Sequence, residues 1–116
     1  MISVTILAMQ NTMASAVTGP LEVFSQTGVM WNHFSGRPIS PRFEVRLVTT
    51  HGRPFKCLSG VRIVPDGSIH DVGRTDLVMV SPILDIEKTL QVQPEAVDWI
   101  RRRYEQGAHI ASVCSG

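Results

Sequence analysis

The residue best placed to do chemistry is a cysteine at the end of an apolar run. His109-Ile110-Ala111-Ser112-Val113 leads directly into Cys114-Ser115-Gly116. A buried strand that delivers a cysteine into a small-residue turn has the form of a nucleophile elbow, its side chain held out where strand would pass into helix. A helix beginning just after Cys114 would aim its backbone N–H groups and positive dipole end at the sulfur, lowering the thiol pKa and readying the site for an anion. The sequence stops at Gly116, and without that helix Cys114 is expected to behave as an ordinary thiol.

Other reactive side chains carry weaker signals. His109 lies five residues before Cys114, an odd offset that sends the two side chains to opposite faces of a strand, so it is expected to be structural rather than a base. His33, His51 and His70 fall in loops or turns without a visible partner and are expected on the surface. Cys57 reads as a small core or edge residue. Asp66 and Asp71 sit in turn-rich stretches where aspartate caps the backbone. Neither Cys-x-x-Cys nor histidine-paired spacing occurs, so no zinc site, other metal site, cofactor or disulfide framework is expected. Free thiols fit a reducing compartment.

With 116 residues, 43% of them hydrophobic, the chain has enough apolar material for one core and the composition of a globular domain. A net charge of +1 offers no electrostatic reason for a nucleic-acid or membrane surface. The first seven residues lack a signal peptide's basic flank and cleavage site, and no apolar stretch reaches the roughly 20 residues of a membrane span, so a cytoplasmic protein is expected. No internal repeat or low-complexity segment is visible.

The elements that must position Cys114 follow from periodicity. Strand-length apolar runs alternate with helical patterns, the signature of parallel βαβ units. Residues 2–9 are apolar almost throughout and predict a central strand. A helix is expected over 13–28, with Val17, Leu21, Val23 and Phe24 at helical spacing and Pro20 near its first turn. Residues 29–41 read as a loop carrying Trp31, His33 and Phe34. Residues 43–50 alternate Phe43, Val45 and Leu47 inward against Glu44 and Arg46 outward. His51-Gly52-Arg53-Pro54 turns the chain into a short hairpin of 56–58 and 61–64, which ends at Pro65-Asp66-Gly67. A buried strand over 76–81 stops at Ser81-Pro82. A helix over 94–106 has Pro94 in its first turn, Val97, Ile100 and Tyr104 on one face, and Gly107 as its stop. Arg101, Arg102 and Arg103 fall in its last turns, where the helix dipole favours cations, and read as a solvated face. Residues 108–113 form the last strand.

Taken together, Gly19-Pro20-Leu21-Glu22-Val23-Phe24, the Gly52-Arg53-Pro54 turn, Gly60 followed by Pro65-Asp66, and the run from Gly107 to Gly116 resemble the ThiJ/PfpI superfamily of class I glutamine amidotransferase-like domains. The Gly-Pro-Leu-Glu-Val-Phe segment and the Ser-Val-Cys-Ser-Gly elbow are most similar to the N-terminal domain of AraC-family transcriptional regulators of that type. The resemblance implies an α/β fold, a flavodoxin-like three-layer sandwich with a mainly parallel sheet, truncated after the elbow, with ligands at the carboxyl ends of the strands. Residues 1–116 would then be a partial domain, lacking its C-terminal part and any helix-turn-helix domain. A homodimer is implied, with DNA contacted only through the absent domain. Cutting the sheet at Gly116 would leave an apolar face and a sheet edge open.

The same resemblance bears on catalysis. Enzymes of the superfamily place an acid near the cysteine, a backbone N–H pocket after the central strand, and in some members a histidine directly after the cysteine. In isonitrile-hydratase-like members the acid falls three residues before the Gly-Pro pair, where this chain has Ala16. Glu22 is the remaining carboxyl, either a proton partner with a raised pKa or a group that only fixes backbone N–H groups near the elbow. Ser115 stands where protease-like members carry histidine, and Pro82-Ile83 replaces the glycine-rich turn, removing one donor. A non-catalytic sensor domain is therefore expected, binding a small-molecule effector near Glu22, Trp31, Pro82, Ile83, Cys114 and Ser115. The alternative is a cysteine-dependent hydratase or hydrolase with Cys114 as nucleophile and Glu22 as its proton partner. A third reading is a redox or stress protein whose Cys114 oxidises reversibly.

Overall fold

A computed structural model describes residues 1–116. Its core is a five-stranded parallel sheet built from β1 (Ile2–Leu7), β2 (Phe43–Thr49), β5 (Gly67–Ser68), β6 (Leu77–Val80) and β7 (His109–Ser112), in the order β5-β2-β1-β6-β7. β1 lies in the middle, as its almost wholly apolar character predicts. Its side chains alternate between two packed faces. Val4, Ile6 and Ala8 join Val17, Leu47, Phe55 and Cys57 under helix α1 (Ala14–Gln26), while Leu7 and Met9 join Val48, Ile69, Val78 and Val80 under helix α4 (Pro94–Glu105). Helices on both faces of a parallel sheet make the three-layer, flavodoxin-like sandwich. Two further strands, β3 (Phe55–Lys56) and β4 (Arg62–Ile63), form the antiparallel hairpin expected from the turn residues.

The chain runs outward through β2 and β5, then returns to the other side of β1 for β6 and β7. The strand order therefore reverses between β1 and β6, the kind of point beside which open α/β sheets bind ligands. Ser81 pins that point: its backbone N–H donates to Leu7 O at 3.0 Å and its Oγ accepts from the Met9 N–H at 2.9 Å.

Several expectations are corrected. Residues Met30–Phe34 form a short helix, α2, inside the segment read as a loop; Ser35 Oγ donates to Trp31 O at 2.7 Å and closes its end. Pro20 lies in the interior of α1 rather than near its first turn, so the Ala16 carbonyl has no i+4 N–H to accept. Helix α3 (Ile86–Val92) has no counterpart in the expected elements, because Ile86, Leu90 and Val92 are all exposed and leave no buried stripe to read; Asp85 caps it by accepting from the Lys88 N–H. Gly67–Ser68, read as a turn, pairs with the end of β2.

The buried face of α4 is rotated from the expected one. Trp99 is 3% exposed beside buried Ala96, and Ile100 of the expected face packs against the same core, whereas Val97 and Tyr104 are 45% and 67% exposed. Both faces satisfy helical spacing, and the indole wins because it removes the larger apolar area from water. The three arginines after it are engaged within the molecule. Arg101 and Arg102 pair with Asp98, and Arg103 donates to the carbonyls of Gly73 and Val72 while stacking over Trp99.

Candidate functional site

The elbow is built where β6 and β7 end side by side. Val113 N–H donates to Val80 O at 3.0 Å, which carries the strand pairing one residue past β7, and the Gly116 N–H returns to Val113 O at 3.0 Å to close a tight turn. Inside that turn Cys114 takes φ of 56°, in the left-handed region that non-glycine residues avoid at a cost of order 1 kcal/mol. The strain lifts its side chain off the sheet, and the thiol is exposed. Gly116 is required by close approach: a Cβ there would lie 2.2 Å from Val80 O and 2.6 Å from Ser81 O.

Ser115 then fixes the elbow to the turn after β6. Its Oγ donates to Ile83 O at 2.8 Å and accepts from the Ile83 N–H at 3.0 Å. The turn after β6 therefore has little to offer an oxyanion. Pro82 has no N–H, and that of Ile83 is already engaged.

The fold thus brings Cys114, Ser115, Pro82 and Ile83 together at the carboxyl edge. Glu22 and Trp31, expected beside the elbow, are not brought to it: both are exposed, and Trp31 lies on α2 just past Thr27, whose carbonyl accepts from the Arg42 N–H at the amino end of β2. The Glu22 carboxylate accepts no hydrogen bond; only its carbonyl accepts, from Ser25 Oγ at 3.2 Å. His109 is exposed at the start of β7, the opposite end of that strand from the elbow. Cys57 is buried in the core under α1, and burial pushes its thiol pKa up, which keeps it protonated and unreactive. No group of three or more His, Cys, Asp or Glu side chains converges to hold a metal.

Among the aspartates, Asp71 closes a capping box with Ser68 around a single 3₁₀ turn, as its turn-rich setting suggests. Asp66 caps at long range, its Oδ2 accepting from the Leu47 N–H in β2 at 2.9 Å. His70 is not without a partner: its Nε2 lies 2.5 Å from Glu95 Oε1 at the start of α4, a pair 25 residues apart that no local spacing could signal. Arg53, Lys56 and Arg62, passed over as turn and hairpin residues, border a cavity at the ends of β1 and β2. The signal available for them was their spacing: two cations directly opposed across a hairpin.

The model of the DJ-1/PfpI family matches residues 2–116. Comparison with curated proteins gives no match. Among solved structures, a protein from Vibrio parahaemolyticus assigned as a transcriptional regulator is 23% identical with a TM-score of 0.74, over 96% of this chain and 55% of its own. DJ-1beta from Drosophila melanogaster is 18% identical with a TM-score of 0.74, over 99% and 56%. An AraC family transcriptional regulator from Pseudomonas putida is 13% identical with a TM-score of 0.60, over 97% and 55%. The chain spans about 55% of each of these relatives, and at such identities the likeness is one of fold.

Proposed function

The chain belongs to the DJ-1/PfpI family, and from that premise we propose that it is the ligand-sensing domain of an AraC-type transcriptional regulator, with the elbow serving recognition rather than turnover. The observation that carries this reading is the Ser115 hydroxyl on the Ile83 backbone. It uses the donor that would stabilise an oxyanion, beside a proline that has none to give. No carboxylate or imidazole bonds to the Cys114 thiol, Ala16 stands where one class of relatives carries its acid, and Glu22 faces solvent. The structural likeness to regulators from Vibrio parahaemolyticus and Pseudomonas putida supports the same reading.

In this proposal a small-molecule effector binds beside Cys114, Ser115, Pro82 and Ile83 at the carboxyl edge of the sheet. The protein is cytoplasmic and a homodimer, and a separate helix-turn-helix domain contacts DNA. No helix is long and apolar enough to cross a membrane. The strained φ of Cys114 favours a second reading, a cysteine-dependent hydratase or hydrolase, because such strain is how an elbow presents a nucleophile.

One comparison separates the two. The full-length protein is assayed for steady turnover of an isonitrile, an amide and a 2-oxoaldehyde, and for binding to its own upstream DNA. The sensor reading expects sequence-specific DNA binding that survives in Cys114→Ala, and no turnover. Turnover abolished by Cys114→Ala would overturn it.

A further inference from the structure

At the carboxyl ends of β1 and β2, away from the elbow, lies a cavity of about 420 Å³, within the range of about 300–1,000 Å³ typical of small-molecule sites. Its charge is one-sided. Arg53, Lys56 and Arg62 line it with His51, and no acidic residue does. None of the three cations forms a salt bridge within the molecule. Lys56 and Arg62 are moreover register partners across the β3–β4 hairpin. Like charges directly opposed on neighbouring strands disfavour the pairing, and an anion between them would remove that cost.

The hairpin that carries them is held firmly. The Asn11 N–H donates to Lys56 O at 3.3 Å and the Leu58 N–H donates to Thr12 O at 3.0 Å, which docks β3 on the turn after β1. Phe55, next to Lys56 and paired with Ile63, is buried and anchors the strand in the core. Across the cavity Thr50 Oγ1 donates to Gln93 Oε1 at 3.0 Å, and the Gln93 amide N–H₂ is left as a further donor. Cations, neutral donors and the apolar surfaces of Ala8 and Phe55 thus border one half-open space.

We infer that this cavity is a binding site, distinct from the elbow, for a small molecule bearing a phosphate monoester. A phosphate monoester carries a charge of about −1.5 to −2 at neutral pH and offers three acceptor oxygens, whereas a single carboxylate would neutralise only one of the three cations. Arginine forks match its geometry. The anion lies between Lys56 and Arg62 and relieves their repulsion, and the carbon skeleton rests on the apolar walls.

The test is calorimetric titration of the full-length protein with ribose 5-phosphate, with ribose as the uncharged control and inorganic phosphate as competitor. Ribose 5-phosphate is expected to bind, to weaken as salt is raised, and to be displaced by phosphate, while ribose gives no heat. The Arg53→Ala/Arg62→Ala variant is expected to lose about tenfold or more in affinity with an unchanged circular dichroism spectrum. Lys56→Gln provides the same test should that variant fail to fold. Arg37→Ala, which removes an exposed cation beyond α2, is expected to bind normally. Absence of binding at millimolar ribose 5-phosphate in low salt, or affinity unaffected by the Arg53, Arg62 and Lys56 substitutions, would overturn the inference. DNA plays no part in this readout, so the site can fail while the sensor reading stands, and the reverse.

Discussion

Cys114 and Cys57 show how one residue type takes opposite roles from its surroundings. Cys114 stands exposed on a left-handed turn, while Cys57 lies in the core with its thiol pKa raised by loss of water. Because the thiolate is the reactive form, burial counts against Cys57 twice, by closing access and by raising its pKa. Iodoacetamide at neutral pH is expected to label Cys114 in the folded protein and to reach Cys57 only on unfolding, as read by peptide mass spectrometry; equal labelling of the two in native buffer would contradict the placement of Cys57. Ser115 illustrates a second dependence on surroundings. A serine after the nucleophile reads from sequence as a missing histidine, yet its hydroxyl makes two bonds that join the elbow to Ile83.

Helix α4 closes one face of the sheet through a single large side chain. Trp99 packs among Ile69, Val72, Val78 and Val80, and its ring lies under Arg103 at 5.2 Å. Its Nε1–H is buried without a partner, so the residue contributes by volume and area rather than through a hydrogen bond. Trp99→Ala is expected to cost about 3–5 kcal/mol in chemical denaturation, and Trp99→Phe clearly less, because phenylalanine keeps most of the apolar volume and removes the unpaired donor. A Phe variant as unstable as the Ala variant would show that the indole N–H matters. The hairpin β3–β4 depends on different forces, with Phe55 and Cys57 inward and its basic side chains outward.

Across the whole molecule, aspartates tie together segments that are distant in sequence. Asp76 accepts from the Ser3 N–H at 2.8 Å and from Arg74 at 3.0 Å, joining the starts of β1 and β6. The Ser3 amide first, and then Arg74, hold its carboxyl below the usual value of 3.8. Asp71, on the Ser68 amide and hydroxyl, and Asp98, beside Arg101, are lowered likewise. A carboxylate whose pKa is lower folded than unfolded stabilises the protein fully above the unfolded value, and that contribution fades as the pH falls through the folded one. Stability is therefore expected to drop as the pH goes below about 4, and Asp76→Asn to flatten part of that drop in acid titrations followed by circular dichroism. Asp71 is exposed, and Asp76 and Asp98 are only partly buried, so solvent screens each effect and keeps it modest. An unaltered acid profile in the variant would remove Asp76 from this role.

Alternation and helical spacing were enough to place β1, β2, β6, α1 and α4, because each buries a face whose period of two or 3.6 residues is written in adjacent side chains; β7 was legible as an apolar run, but it lies at the sheet edge and is largely exposed rather than buried. The central position of β1, the hairpin and the elbow were legible for the same reason: each is a local pattern. Helix α3 was not, since it buries nothing, and neither was the buried face of α4, since two faces shared one spacing. The pairing of His70 with Glu95, the Ser81 clasp between β1 and β6, and the meeting of Ser115 with Ile83 join residues 25 to 72 positions apart. So does the cavity that gathers Arg53, Lys56 and Arg62 near Gln93. Such neighbours are chosen by the order of strands in the sheet, which brings distant carboxyl ends to one edge, and local periodicity says nothing about that order.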